Sequence, residues 1–204
     1  MKVKICGLHP ARDVQLCIDL RVDLLGFVFY AKSPRNVDLK EIKRLKAYKK
    51  FNSQFVAVTV NPSDKFIKNI LLGNFDYIQL HGSESKERVA EIKSTGLKII
   101  KTIKVRDKRD IDDYKKYTNA DIILFDTPGM EKSIEFPKDL ISKLPKGERY
   151  ALAGSISENN IENIKNFGVT FFDLSSSLEL DTQIGYKDHL KIKKFIKKVN
   201  ELKN

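Results

Sequence analysis

The sequence predicts an α/β fold, a single (β/α)₈ TIM barrel, on three observations. Eight short apolar runs alternate with eight amphipathic stretches along the whole chain. The runs are continuous rather than alternating, as in strands buried on both faces. The turn after the first run, Cys6-Gly7-Leu8-His9-Pro10, lacks the glycine-rich dinucleotide fingerprint usual at that place in an open doubly wound sheet. Strand–helix units of about 25 residues imply parallel strands with right-handed crossovers, and eight units favour a closed barrel.

The elements follow in order. The run at 3–8 leads into a helix-like stretch at 12–20 that carries Val14, Leu16, Cys17, Ile18 and Leu20. The run at 24–30 precedes a helix over 39–48, with Leu39, Ile42, Leu45 and Tyr48 at helical spacing. The run at 55–60 precedes a helix over 63–72, opened by Pro62-Ser63-Asp64 and carrying Phe66, Ile67, Ile70 and Leu71. The fourth run, 77–80, precedes 83–94, where Ser83-x-x-Lys86 and Ser85-x-x-Arg88 are imperfect capping boxes. The remaining pairs are 98–105 with 107–117, 121–125 with 138–144, 150–153 with 157–166, and 170–174 with 188–202. Gly96 and Gly168 stand just past helices, where a left-handed C-cap favours glycine.

Composition narrows the class. A chain of 204 residues reads as one domain over 1–204, large enough to bury about 70% of its unfolded surface without a metal or disulfide staple. No apolar run approaches the roughly 20 residues that span a bilayer, so no membrane partner is expected. The N-terminus runs straight into a strand without an apolar signal core, which predicts a cytoplasmic protein. Cys6 and Cys17 form neither a CxxC pair nor a metal-ligand pattern, so reduced thiols are expected and no metal. The net charge of +11 favours anionic partners. Its lysines are scattered along the helices, from Lys40, Lys43 and Lys46 to Lys194, Lys197 and Lys198, without interleaved aromatics. That pattern reads as a solvated surface, with no nucleic-acid partner.

In a (β/α)₈ barrel the chemistry sits where the strands end at their C-termini. There the sequence places Cys6 after the first run, Ser33-Pro34-Arg35 after the second and Asn61 after the third. His81 follows the fourth, Asp126 the sixth, Gly154-Ser155 the seventh and Ser175-Ser176-Ser177 the eighth. The barrel would bring a thiol, a guanidinium, an imidazole, a carboxylate and two small-residue turns to one mouth.

A set of ordered motifs runs along nearly the whole chain. They are Lys4-Ile5-Cys6-Gly7, Gly26-Phe27-Val28-Phe29 with Ser33-Pro34-Arg35, Val60-Asn61 and Gln79-Leu80-His81-Gly82. Leu124-Phe125-Asp126, Leu152-Ala153-Gly154 and Asp173-Leu174-Ser175-Ser176 follow, the last with Glu179 and Gly185-Tyr186-Lys187-Asp188. Together they resemble the motifs of the phosphoribosylanthranilate isomerases. The resemblance implies an Amadori rearrangement in tryptophan biosynthesis, in which N-(5-phosphoribosyl)anthranilate becomes the 1-deoxyribulose. It also implies that Cys6 is the general base and Asp126 the general acid, with no metal or redox cofactor.

The residues suit those roles. A carboxylic acid can protonate the furanose oxygen, and a thiolate can take the proton from C2 once the iminium has formed. Lys4 or Arg35 is expected to lower the thiol, and partial desolvation is expected to raise a carboxyl that serves as acid. The expected ligand is a small anionic phosphosugar. Gly154, Ser155, Ser175 and Ser176 would take its phosphate through backbone N–H groups. Arg35 would meet its carboxylate, and Lys4 and His81 complete the predicted substrate contacts. Cys17 reads as core, His9 and His189 as loop and helix surface, and Asp173 as a backbone anchor. The loop after Asp126 is short and has one glycine, Gly129. Ser155 and Ser177 stand where the family usually carries glycine, so positive φ would cost energy there. A substrate-shifted or non-catalytic phosphosugar-binding barrel is the alternative, and the chain is read as a monomer or homodimer.

Overall fold

In a computed structural model that describes residues 1–127, 129 and 135–203, eight parallel strands close into a barrel in sequence order. They are β1 (Lys2–Cys6), β2 (Leu24–Phe29), β3 (Gln54–Thr59), β4 (Tyr77–Leu80), β5 (Lys98–Lys104), β6 (Ile122–Asp126), β7 (Tyr150–Leu152) and β8 (Phe171–Leu174). β1 closes the ring on β8, with Lys4 opposite Asp173. The intervening helices are α1 (Pro10–Asp19), α2 (Glu41–Leu45), α3 (Asp64–Leu71), α4 (Lys86–Lys93), α5 (Lys108–Ile111), α6 (Lys138–Ile141), α7 (Ile161–Asn166) and α8 (His189–Glu201).

Several helices are shorter than their apolar spacing suggested. α2 keeps one turn and a half, around the buried Ile42 and Leu45. Leu39, at its expected start, is exposed. α5 begins with a full capping box between Asp107 and Asp110 but passes into a 3₁₀ turn over Asp112–Lys116. Ser63 and Ser85 cap α3 and α4 by accepting from the backbone N–H groups of Phe66 and Arg88. Gly96 and Gly168 are left-handed past their helices, as expected. A hairpin of β9 (Glu179–Leu180) and β10 (Gln183–Lys187) follows β8. The sequence reading had no strand there.

Two apolar layers hold the barrel. One lies between strands and helices, and the other fills the barrel's interior. The interior is built from alternate strands, as this architecture requires. Leu24, Tyr77, Ile122 and Phe171 begin β2, β4, β6 and β8 and pack at the N-terminal end. Two residues further along the same strands, the inward positions are Gly26, Gln79, Leu124 and Asp173, so the interior becomes polar towards the C-terminal mouth. The strands therefore end beneath an open cavity rather than an apolar lid.

Candidate active site

The cavity at the C-terminal mouth has a volume of about 300 Å³. Cys6, Arg35, His81, Asp126, Gly154, Ser155, Ser175 and Ser176 all line it, as do Gln79, Lys104 and Asp173. Cys6 ends β1 and Asp126 ends β6, three strands away round the ring, so thiol and carboxyl face one space. Cys6 pairs with Gly26 across β1 and β2. A Cβ at Gly26 would sit 3.1 Å from the Cys6 sulfur and 3.3 Å from the Cε carbon of Lys4, so a side chain there would press on both.

Lys4 does not line the cavity, which corrects its reading as a substrate contact. Its side chain lies in the barrel interior, and its Nζ donates to both carboxylate oxygens of Asp173, at 3.0 and 2.9 Å. Parity explains the error. Lys4 shares the inward face with Cys6 but sits one layer lower. Asp173 is likewise bound to a side chain rather than anchoring backbone. Burial opposes the Lys4 charge, but Asp173 leads in holding the ammonium above its ordinary range. Burial pushes the Asp173 carboxyl up, against the pull of Lys4. Burial also pushes the Cys6 thiol up, and the lowering by Lys4 does not overcome it. The expectation of a lowered thiol is thus reversed, and the resting group is the thiol.

A second buried cluster supports the wall beside Cys6. The Arg35 guanidinium forks onto Glu179, Nε to Oε1 at 2.6 Å and an Nη to Oε2 at 2.9 Å. Lys187 Nζ donates to Glu179 Oε1 at 2.9 Å and to the Ser175 carbonyl at 3.0 Å. The Ser175 hydroxyl donates to the Cys6 carbonyl at 3.2 Å. The β9–β10 hairpin, the β8 turn and the end of β1 are thereby tied together. Burial pushes the Glu179 carboxyl up, but Arg35 and Lys187 outweigh it and hold the carboxyl down at about 2, against an ordinary 4.5. A depressed carboxyl contributes stability above its unfolded pKa and loses it as the pH falls. Glu179→Gln is therefore expected to flatten the pH dependence of the urea midpoint between 4.5 and about 2. Equal slopes for variant and parent would contradict this account.

On the opposite wall, the His81 ring lies with Nε2 3.4 Å from Asp126 Oδ2. Its Nδ1 is 3.3 Å from Gln79 Nε2. The β4–α4 turn that carries His81 is clamped from below. Lys101 Nζ donates to the Gly82 carbonyl and to Glu84 Oε2, each at 2.8 Å, while Glu84 Oε1 accepts from the Asn61 and Gly82 N–H groups. Gln79, Glu84 and Lys101 were not singled out from sequence. The available signal for Gln79 and Lys101 was a polar side chain within a predicted strand; Glu84 lies in a turn and gave none.

The turn after β7 is left-handed at Gly154 and at Ser155, φ +107 and +46, so Ser155 does carry the backbone cost expected of it. Ser177 does not; it lies in a 3₁₀ turn, Ser176–Leu178, without positive φ. Of the loop read as shortened after Asp126, residues 128 and 130–134 lie outside the described residues. Cys17 is buried core, and His189 sits half-exposed on α8 against Asp13. Among the described residues no helix is long and apolar enough to cross a membrane, and no cluster of three or more His, Cys, Asp or Glu suits a metal.

Residues 3–198 match the family model described as N-(5'phosphoribosyl)anthranilate (PRA) isomerase. A protein of that name from Petrotoga mobilis is 36% identical over 211 residues, covering 100% of this chain and 99% of its own. The crystal structure of phosphoribosyl anthranilate isomerase from Thermotoga maritima superposes with a TM-score of 0.85 at 26% identity, covering 98% of this chain and 99% of that one. Another such structure, in complex with reduced 1-(o-carboxyphenylamino)-1-deoxyribulose 5-phosphate, superposes at 0.82 with 26% identity and the same coverage.

Proposed function

Because the chain belongs to the N-(5'-phosphoribosyl)anthranilate isomerase family, we propose that its C-terminal cavity rearranges N-(5'-phosphoribosyl)anthranilate, with Asp126 as acid and Cys6 as base. The chain is an aldose–ketose isomerase of tryptophan biosynthesis. The observation that carries the residue assignment is the placement of a thiol and a carboxyl at the ends of β1 and β6 on one cavity.

The chemistry follows from that placement. Asp126 gives its proton to the ribose ring oxygen. The C1–O bond breaks with its electron pair going to that oxygen, and the anilino nitrogen supplies the pair that makes the C1=N iminium. The iminium acidifies the proton on C2. Cys6 takes that proton as thiolate, and the electrons left behind form the C1=C2 enaminol. Cys6 then returns its proton to C1 as the C2 hydroxyl gives up its own to the Asp126 carboxylate, which leaves the ketone and restores both groups. The resting thiol is held up by burial, so it acts as base only after its own proton has left for solvent through the cavity mouth. A cationic iminium in the same low-dielectric space favours the thiolate.

The turns at Gly154-Ser155 and Ser175-Ser176 are our assignment for the phosphate, on the barrel walls at β7 and β8 where such folds take phosphate. Lys187, buried under Ser175, adds positive charge at that wall. Arg35 faces the cavity while forked onto Glu179, which fixes its plane for stacking or for a carboxylate. The whole wall comes from within this one barrel, so we read 1–204 as one catalytic domain. We place it in the cytoplasm, where the free Cys6 and Cys17 stay reduced.

The test is turnover by the purified chain, followed as loss of substrate fluorescence, together with growth of a tryptophan auxotroph lacking this activity. Turnover and growth are expected. Ligand binding without turnover would support a non-catalytic phosphosugar barrel instead.

A further inference from the structure

We propose that Gln79 is a positioning residue for the proton-donating step. Its side-chain amide holds the His81 ring as the Nε2–H tautomer, so that the ring donates to Asp126 and cannot take the proton that Asp126 carries to substrate. The proposal rests on the reading of Asp126 as the acid.

Gln79 is an inward residue of β4, buried among Gly26, Leu124 and Asp173 at the base of the cavity. Its Nε2 reaches two neighbours, Thr102 Oγ1 at 3.1 Å and His81 Nδ1 at 3.3 Å. An amide nitrogen only donates. The His81 Nδ1 therefore accepts, and the ring proton is on Nε2, which faces Asp126 Oδ2 at 3.4 Å. The imidazole is held through Nδ1, and its Nε2 lies within 3.4 Å of the acid.

Gln79 Oε1 is buried and has no hydrogen-bond partner among the described residues. A buried acceptor left in that state is costly, and such groups in native proteins mark a functional constraint. A leucine of similar size would fill the layer with no orphaned atom. Turning the amide over would offer Oε1 to a proton on Nδ1 and would lock the opposite tautomer.

The tautomer matters because imidazole is a stronger base than a carboxylate. With Nε2 as an acceptor, the ring would compete with the substrate for the proton of the acid. With Nε2–H directed at Asp126, the ring supports the carboxyl group without competing for its proton. This is second-layer control of tautomer, of the kind known for histidines whose other nitrogen is held by a fixed partner.

The experiment is ¹⁵N NMR of the three histidine rings in the full chain, with His81 assigned from a His81→Asn variant, alongside steady-state kinetics. The parent is expected to show His81 as the Nε2–H tautomer. Gln79→Leu is expected to show a mixture of tautomers and a kcat lowered by tenfold or more, with KM within threefold. Gln79→Glu, an acceptor only, is expected to place a proton on Nδ1 and to lower kcat further. Gln79→Met serves in place of leucine should that variant not fold. An Nδ1–H ring in the parent, or a Gln79→Leu kcat within twofold of the parent, would overturn the proposal. Asp126→Asn separates the two readings. Near-normal turnover there removes the acid and the proposal with it, whereas an inactive Asp126→Asn beside an Nδ1–H ring removes the proposal alone.

Discussion

Cys6→Ala and Asp126→Ala are each expected to lower kcat by about 10²–10⁴-fold, the range that positioned general acids and bases contribute. The loss should fall on kcat rather than KM, because neither group is assigned to the phosphate or the carboxylate of the ligand. The two defects should differ in kind. Without Asp126 the ring stays closed, and no iminium forms. Without Cys6 the ring still opens, and the iminium waits for a base. A substrate analogue that is already ring-opened should therefore restore turnover to Asp126→Ala more than to Cys6→Ala. Both are changes at the cavity wall. Cys6→Ala leaves a small gap beside Gly26, and Asp126→Ala releases the His81 contact at 3.4 Å. Thermal unfolding midpoints should thus stay near the parent value. Steady-state fluorescence is the measurement, and near-normal turnover in either variant would reject that residue's role.

The barrel was legible because most strand positions are buried on both faces, so strands such as β2, Leu24–Phe29, read as apolar runs. Helix ends were less legible. Leu39 and Tyr48 fit the spacing of α2 but lie outside its one buried turn, since periodicity marks a face and not the point where hydrogen bonding stops. The β9–β10 hairpin was hidden because Gln183, Ile184 and Tyr186 are exposed and show no apolar run. At the site, the strand ends and the loops after them pointed to residues that line the cavity, and Lys4 alone of the predicted catalytic and substrate-binding residues does not line it. What failed there was depth. Parity places Lys4 on the inward face, but its partner Asp173 is 169 residues away and is brought opposite only by ring closure. The same holds for Arg35 and Glu179, 144 residues apart. Pairing between distant strands leaves no local signal, so a buried charge announces that it needs a partner without saying which one.

The clamp under the His81 turn carries the largest expected effect on stability. Lys101 and Glu84 are both fully enclosed, 2.8 Å apart, outside the barrel wall and away from the cavity. Lys101 also donates to the carbonyls of Leu80 and Gly82, and its ammonium lies 5.3 Å from the Tyr117 ring centre. The Tyr117 hydroxyl donates back to the Glu84 carbonyl at 3.1 Å. Burial pushes the Lys101 ammonium down and Glu84 opposes it. Burial likewise pushes the Glu84 carboxyl up, but Lys101 and the backbone N–H donors hold it below its ordinary range. Glu84→Ala would leave a buried lysine without its counter-charge and would strip two backbone donors, Asn61 and Gly82, of their acceptor. Removing one partner of such a pair costs about 3–5 kcal/mol. For a chain of this length that corresponds to a fall of about 10 °C in Tm. Glu84→Gln keeps an acceptor for the backbone donors and loses only the charge, so it should fall between the parent and Glu84→Ala. Lys101→Met with Glu84→Gln removes both charges and should recover stability relative to Glu84→Ala, because the buried pair is itself close to neutral against apolar packing. Differential scanning calorimetry of the three variants decides the point. A Glu84→Ala Tm within about 2 °C of the parent, well under the shift that loss of a buried counter-charge implies, would show that the pair does not hold the turn. Asn61, left-handed at φ +45, and the His81 turn would then owe their positions to other contacts.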